Sequence, residues 1–63
     1  MKTKLKMIML LLSRLNALYG SKWALYHKGA GYEVHDSDGM KIFGPSAKHE
    51  LHEAIQRWAN EQE

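Results

Sequence analysis

Residues 5–19, LKMIMLLLSRLNALY, constrain this chain more than any other stretch. They hold eleven apolar residues, six of them consecutive from Met7 to Leu12. Leu, Met, Ala, Lys and Arg dominate the segment and are strong helix formers, so a helix is predicted from about Lys4 to Tyr19. Leu5, Ile8, Leu12, Leu15 and Tyr19 recur at spacings of three and four and form one apolar stripe. Met7, Leu11 and Leu18 form a second stripe beside it, and Met9 and Leu10 widen the surface further. One stripe can cover the chain's own sheet. The second needs a partner. Gly20 stands where a left-handed residue closes such a helix.

Cover is scarce in a chain of 63 residues. Residues 1–63 make a single small domain, and chains this short bury only about 60% of their unfolded surface. Disulfides, a metal or oligomerisation are the usual supplements. The chain has no cysteine, which removes disulfides and thiolate metal sites and fits a reducing cytoplasm. Oligomerisation is the simplest supplement left. The expectation is an intertwined homodimer joined through the first helix, with Ile8, Leu11, Leu12 and Leu15 at the interface. The opening MKTKLKMIMLLL has the basic start of a secretory leader. Its apolar run is short, however, Arg14 interrupts the sequence beyond it, and no small-x-small cleavage site appears. It also falls short of the roughly 20 apolar residues that a membrane span needs.

The middle of the chain reads as β. In KWALYHK, Trp23, Leu25 and His27 alternate with Ala24 and Tyr26, and Gly29-Ala30-Gly31 then breaks the pattern. In GYEVHDSDGMKIF, Asp38-Gly39 is a hairpin signal. A strict two-residue loop would set Val34 opposite Phe43 and put Met40 and Ile42 beside Glu33 and His35. A three-residue loop, Ser37-Asp38-Gly39 with Gly39 left-handed, pairs Val34 with Ile42 and gathers Tyr32, Val34, Met40 and Ile42 on one face. Register follows the buried face, which favours the longer loop. One strand plus irregular chain stays open as an alternative. Gly44-Pro45 ends this region, and Ser46 is placed to cap a second helix from about Ala47 to Asn60. Leu51, Ala54, Ile55, Trp58 and Ala59 give that helix one apolar stripe. The expected core joins Trp23, Leu25, Val34, Ile42, Leu51, Ile55 and Trp58 to one stripe of the first helix. The fold class is therefore α+β: helix, short strand or β-hairpin, helix.

No arrangement with catalytic or cofactor chemistry stands out, and the chain is read as non-enzymatic with no cofactor. His49, His52 and Glu53 fall at helix-face spacing, but a zinc-protease helix needs two histidines four apart with Glu after the first. A solvated face with a His–Glu pair explains them more simply. Asp36-Ser37-Asp38-Gly39 opens like a calcium loop but lacks the later acidic ligands, and the same residues make a turn. Gly29-Ala30-Gly31 precedes no helix and is no dinucleotide fingerprint.

Charge is unevenly placed although the net is only +2. Residues 1–32 carry Lys2, Lys4, Lys6, Arg14, Lys22 and Lys28 with no acid. Residues 33–63 carry Lys41, Lys48 and Arg57 against Glu33, Asp36, Asp38, Glu50, Glu53, Glu61 and Glu63. Such asymmetry points to an anionic contact at the N-terminal end or to antiparallel self-complementarity. Lys2, Lys4, Lys6 and Lys22, with Trp23, Tyr26 and Tyr32 nearby, are the candidate nucleic-acid surface. No helix-turn-helix, zinc-finger or RNP pattern accompanies them.

The whole chain has a Leu/Met-rich first helix, a KWALYHKGAGYEVHD strand region and a final ELHEAIQRWANE helix. In this it resembles the short early-region proteins of lambdoid temperate phages, encoded between the exonuclease and excisionase genes. The resemblance covers length and architecture and rests on no diagnostic motif. It implies a small homodimer in the host cytoplasm that favours lytic development by binding a host or phage protein. The expected partner groove is apolar and adaptable, formed by Met7, Met9, Leu18 and Trp58, because unbranched thioethers repack around different shapes.

Overall fold

The apolar segment forms α1, Thr3–Tyr19, in the computed structural model, which describes residues 3–63. The helix ends as expected: Gly20 is left-handed (φ +71°), and its N–H donates to the Asn16 carbonyl at 3.0 Å. Asn16 then steers the chain onward. Its Nδ2 donates to the Trp23 carbonyl at 3.0 Å, and the Trp23 N–H donates to Asn16 Oδ1 at 3.1 Å. This reciprocal amide pair fixes where the loop after α1 becomes a strand.

Three strands come next, not one strand or a single hairpin: β1 (Ala24–Lys28), β2 (Gly31–His35) and β3 (Lys41–Ser46). They form an antiparallel sheet in the order β1-β2-β3. Lys28 pairs with Gly31, so Gly29-Ala30, read from sequence as a break, is a two-residue hairpin loop. Gly29 has φ +58°, the first-position conformation such a loop takes when glycine leads.

The second turn is the expected three-residue loop. The Asp36 N–H donates to the Met40 carbonyl and the Gly39 N–H to the Asp36 carbonyl, both at 3.0 Å, with Gly39 at φ +82°. Asp36 Oδ1 accepts from the N–H groups of Asp38 and Met40 at 2.9 and 3.0 Å, which accounts for the acidic turn. The register beyond it corrects the expectation. His35 pairs with Lys41 and Val34 with Phe43, so a bulge at Lys41-Ile42 shifts β3 by one residue. Phe43 therefore takes the inward position assigned to Ile42, and Met40 and Ile42 remain 66% and 36% exposed. A second irregularity sets Gly44-Pro45 against Glu33 alone, between the Val34–Phe43 and Tyr32–Ser46 pairs.

Ser46 is consumed by this ladder, so it does not cap the last helix. Ala47 occupies the cap position without a side-chain hydrogen bond, and α2 runs Lys48–Glu61. α2 covers β2 and β3, while α1 packs on α2 and reaches β1 where Leu12 and Asn16 meet Trp23 and Leu25. Both helices thus lie on one face of the sheet. Ile8, Leu11, Leu12 and Leu15 from α1 join Val34 from β2 and Leu51, Ile55 and Ala59 from α2 in the core. Trp23, Leu25, Tyr32, Phe43 and Trp58 pack around its rim.

The helices run in the same sense. Met7 lies beside His52, while Leu18 and Tyr19 lie beside Ala59 and Glu63. β3 returns to the end where β2 began, so α2 starts next to the β1–β2 turn. Both helix N-termini and that turn consequently share one end of a molecule 29 Å long.

Two outcomes are expected from chemical denaturation. Gly44 is left-handed (φ +88°), and a β-carbon there would run into the Tyr32 carbonyl and the Glu33 backbone. Gly44→Ala should cost about 3 kcal/mol, whereas Gly39→Ala, which meets open space, should cost about 1 kcal/mol. Ala47→Ser should stabilise the protein by about 1 kcal/mol by supplying the missing cap.

Candidate functional site

The four residues assigned from sequence to a dimer interface are the chain's own core. Ile8, Leu11, Leu12 and Leu15 are 0%, 7%, 4% and 2% exposed within the single chain. α2 supplies the reason. Its stripe of Leu51, Ile55 and Ala59 covers the arc of α1 centred between Leu11 and Leu12, and so takes the inward half of both stripes. Within the single chain those side chains are covered, and Leu11 keeps an edge on the hollows beside α2.

What stays bare is the rest of α1. Met7, Met9, Leu10 and Leu18 are 42%, 57%, 61% and 65% exposed. Successive helical residues turn by about 100°, which separates these four into two flanks. Met7 and Leu18 lie on the α2 side with Leu10 next to them. Met7, Leu10, Leu11 and Arg14 from α1 and His52 and Gln56 from α2 border an open hollow of about 400 Å³. Met9 lies on the other flank, in a second hollow with Leu5, Lys6, Leu10 and Ser13.

The expected groove of Met7, Met9, Leu18 and Trp58 is therefore not assembled. Met7 and Met9 face apart, and Trp58 is half-buried in an aromatic chain. Its ring meets Tyr19 edge-on at 5.6 Å and Trp23 at 4.8 Å, and Trp23 meets Phe43 at 5.6 Å. Edge-to-face contacts of this kind stabilise a core rim. Leu10, absent from the expected groove, joins both hollows. On the helix it lies about 60° beyond Met7, on the side away from the first stripe, and that was the signal.

The basic residues divide as well. Lys2 lies outside the described residues. Lys4 and Lys6 are in the first turns of α1 and Lys22 follows its last turn, so they are separated by the helix length of about 25 Å. Lys22 does not belong with the other two. The shared end of the fold instead brings Lys4 and Lys6 toward Lys28, at the β1–β2 turn, and Lys48, at the start of α2. His27 and His49 lie at the same end, as do both helix N-termini, which carry partial positive charge. Trp23 packs against the core away from these lysines, Tyr32 stacks on His27 with centroids 4.8 Å apart, and Tyr26 is half exposed on the other face of the sheet.

The sheet face away from the helices carries a different group. Glu33 is 8% exposed, and its Oε1 lies 2.7 Å from His35 Nε2. The Tyr26 ring lies against His35 with centroids 4.7 Å apart. Glu33 and His35 are two apart in a strand and so share a face, a signal present in the sequence. Tyr26 could be added only once the β1–β2 register was known. Among the described residues no group of three or more His, Cys, Asp or Glu is placed to hold a metal ion. No helix among them is long and apolar enough to cross a membrane. Compared with protein-family models, with curated proteins and with solved structures, the chain matches none.

The split of α1 into a buried and a bare half yields a sharp contrast. Leu12→Glu buries an unpaired charge and should unfold the chain at every protein concentration. Leu10→Glu changes an exposed position and should alter monomer stability by under about 0.5 kcal/mol. Thermal melts followed by circular dichroism check both, and an unfolded Leu10→Glu variant would contradict the placement.

Proposed function

We propose that the protein is a small non-enzymatic regulator that works by covering the bare apolar face of α1 with another protein chain. In the resting protein that chain is a second copy, giving a homodimer. In action it is a host or phage protein. The observation that carries this reading is that Met7, Leu10 and Leu18 on one flank of α1 and Met9 on the other are each at least 42% exposed. Large apolar side chains left bare together, as Met7, Leu10 and Leu18 are along one flank, mark an interaction site more often than singly scattered ones do. Two of the four are methionines, which adapt to the shape of an occupant. The sequence resemblance to early-region proteins of lambdoid temperate phages supplies the biological setting: expression in the host cytoplasm, favouring lytic development.

A second reading has its own observation. The end that gathers Lys4, Lys6, Lys28 and Lys48 with both helix N-termini is suited to a phosphate backbone. Under this reading the protein is a nucleic-acid-binding regulator. The aromatic stack beside the lysines, His27 on Tyr32, is half turned into the core, which places this reading behind the first.

Sedimentation at rising protein concentration and binding at two salt concentrations separate the two. Under the first reading the chain self-associates, and Met9→Lys or Leu10→Glu weakens this more than Lys4→Ala or Lys6→Ala does. Added salt leaves the association largely intact. A chain that stays monomeric throughout, yet binds generic DNA in a manner abolished by Lys4→Ala, Lys28→Ala and salt, would establish the second reading instead.

A further inference from the structure

We infer that the working partner of α1 is an acid-flanked amphipathic helix from another protein, and that this helix displaces the second copy. The inference rests on the reading of α1 as the protein-binding face. Shape comes first. α1 and α2 lie side by side in the same sense, with Met7, Leu10, Arg14 and Leu18 lining one wall of the furrow between them and His52 and Gln56 the other. The α1 residues are spaced by three and four, so they present a continuous ridge to a third helix laid along the furrow.

Charge selects the occupant. α1 has no acidic residue, and its exposed charges are Lys6 and Arg14. Among the described residues neither has an acidic partner within ion-pairing distance. Arg14 lines the furrow itself, with His52 on the facing wall, while Lys6 stands across Leu10 in the second hollow; the acid that borders the furrow is Glu63, past Leu18 at the far end. An occupant with carboxylates on both sides of an apolar stripe meets Arg14 in the furrow and Lys6 beyond Leu10 while covering Met7, Leu10 and Leu18.

A second copy of this chain cannot meet both demands. Its α1 offers apolar surface but brings the same cations against Lys6 and Arg14. Its α2 offers Glu50, Glu53 and Glu61, but none of the described large apolar residues of α2 is exposed. Electrostatic complementarity governs the choice of partner more than total affinity, so the self-contact is the weaker one.

The test uses the full chain and two synthetic helical peptides with one apolar stripe, flanked by Glu in one and by Lys in the other. Fluorescence anisotropy should show the Glu-flanked peptide binding about tenfold tighter at low salt, with the difference narrowing as salt rises. Leu10→Glu should abolish binding of the Glu-flanked peptide while the chain stays folded. The double variant Lys6→Glu, Arg14→Glu should reverse the preference. Equal binding of the two peptides overturns the inference. So does binding of neither by a chain that sediments as a dimer sensitive to Leu10→Glu, a result that leaves the homodimer standing. Binding of neither by a chain that is monomeric at every concentration overturns both the inference and the reading beneath it.

Discussion

Ile8, Val34, Leu51 and Ile55 have no exposed surface, and they come from α1, β2 and α2. Everything else in the molecule is arranged around that contact. Burying one such side chain contributes about 1.5–3 kcal/mol, a large share of what so short a chain can accumulate. Moving β2 by one residue would turn Val34 outward and Glu33 inward, which fixes the register of the whole sheet. Rotating α1 would withdraw Ile8 and break the contact from the other side. The bare face of α1 is thus a consequence of the core: the helix has apolar residues almost all round, and α2 with the sheet can cover only half of them.

The helices and the acidic turn were legible because their signals are local. Three- and four-residue spacing identifies α1 and α2, and Asp36, Asp38 and Gly39 contain the hydrogen-bonding groups and the left-handed position of their own loop. The exchange of Ile42 for Phe43 was not legible. It depends on a bulge opposite His35, and both residues are apolar, so periodicity cannot choose between them. The third strand was hidden because Gly29-Ala30 looks like a break until Lys28 and Gly31 are seen to pair.

The same distinction holds for the candidate site. That α1 carries more apolar surface than its own chain can bury is visible in the sequence. Which residues remain outside is not, since Leu11 and Leu18 belong to one stripe yet differ in exposure by 7% against 65%. That difference is set by where Leu51, Ile55 and Ala59 lie across from them. Lys28 and Lys48 were likewise invisible as companions of Lys4 and Lys6, because only the strand order brings their ends together. The outer face of the sheet is bare too, but its interior position is filled by the paired Glu33 and His35, and Lys28, Lys41 and Pro45 stand on its edge strands. Charges and proline at sheet edges discourage further strand pairing. Most of the exposed large apolar side chains are on α1.

The shared sense of α1 and α2 also shapes how the molecule meets a partner in solution. Each helix acts roughly as half a positive charge at its N-terminus and half a negative charge at its C-terminus, and parallel helices add where antiparallel ones cancel. Lys4, Lys6, Lys28 and Lys48 outnumber Glu50 at the first end, while Asp36, Asp38, Glu61 and Glu63 outnumber Lys22 and Lys41 at the other. Charge is therefore polarised along the helices although the net is only +2. In the field of an anionic target it experiences a torque before any contact forms, and it arrives with its basic end leading. Orientation of this kind removes part of the rotational search that slows docking between specific patches.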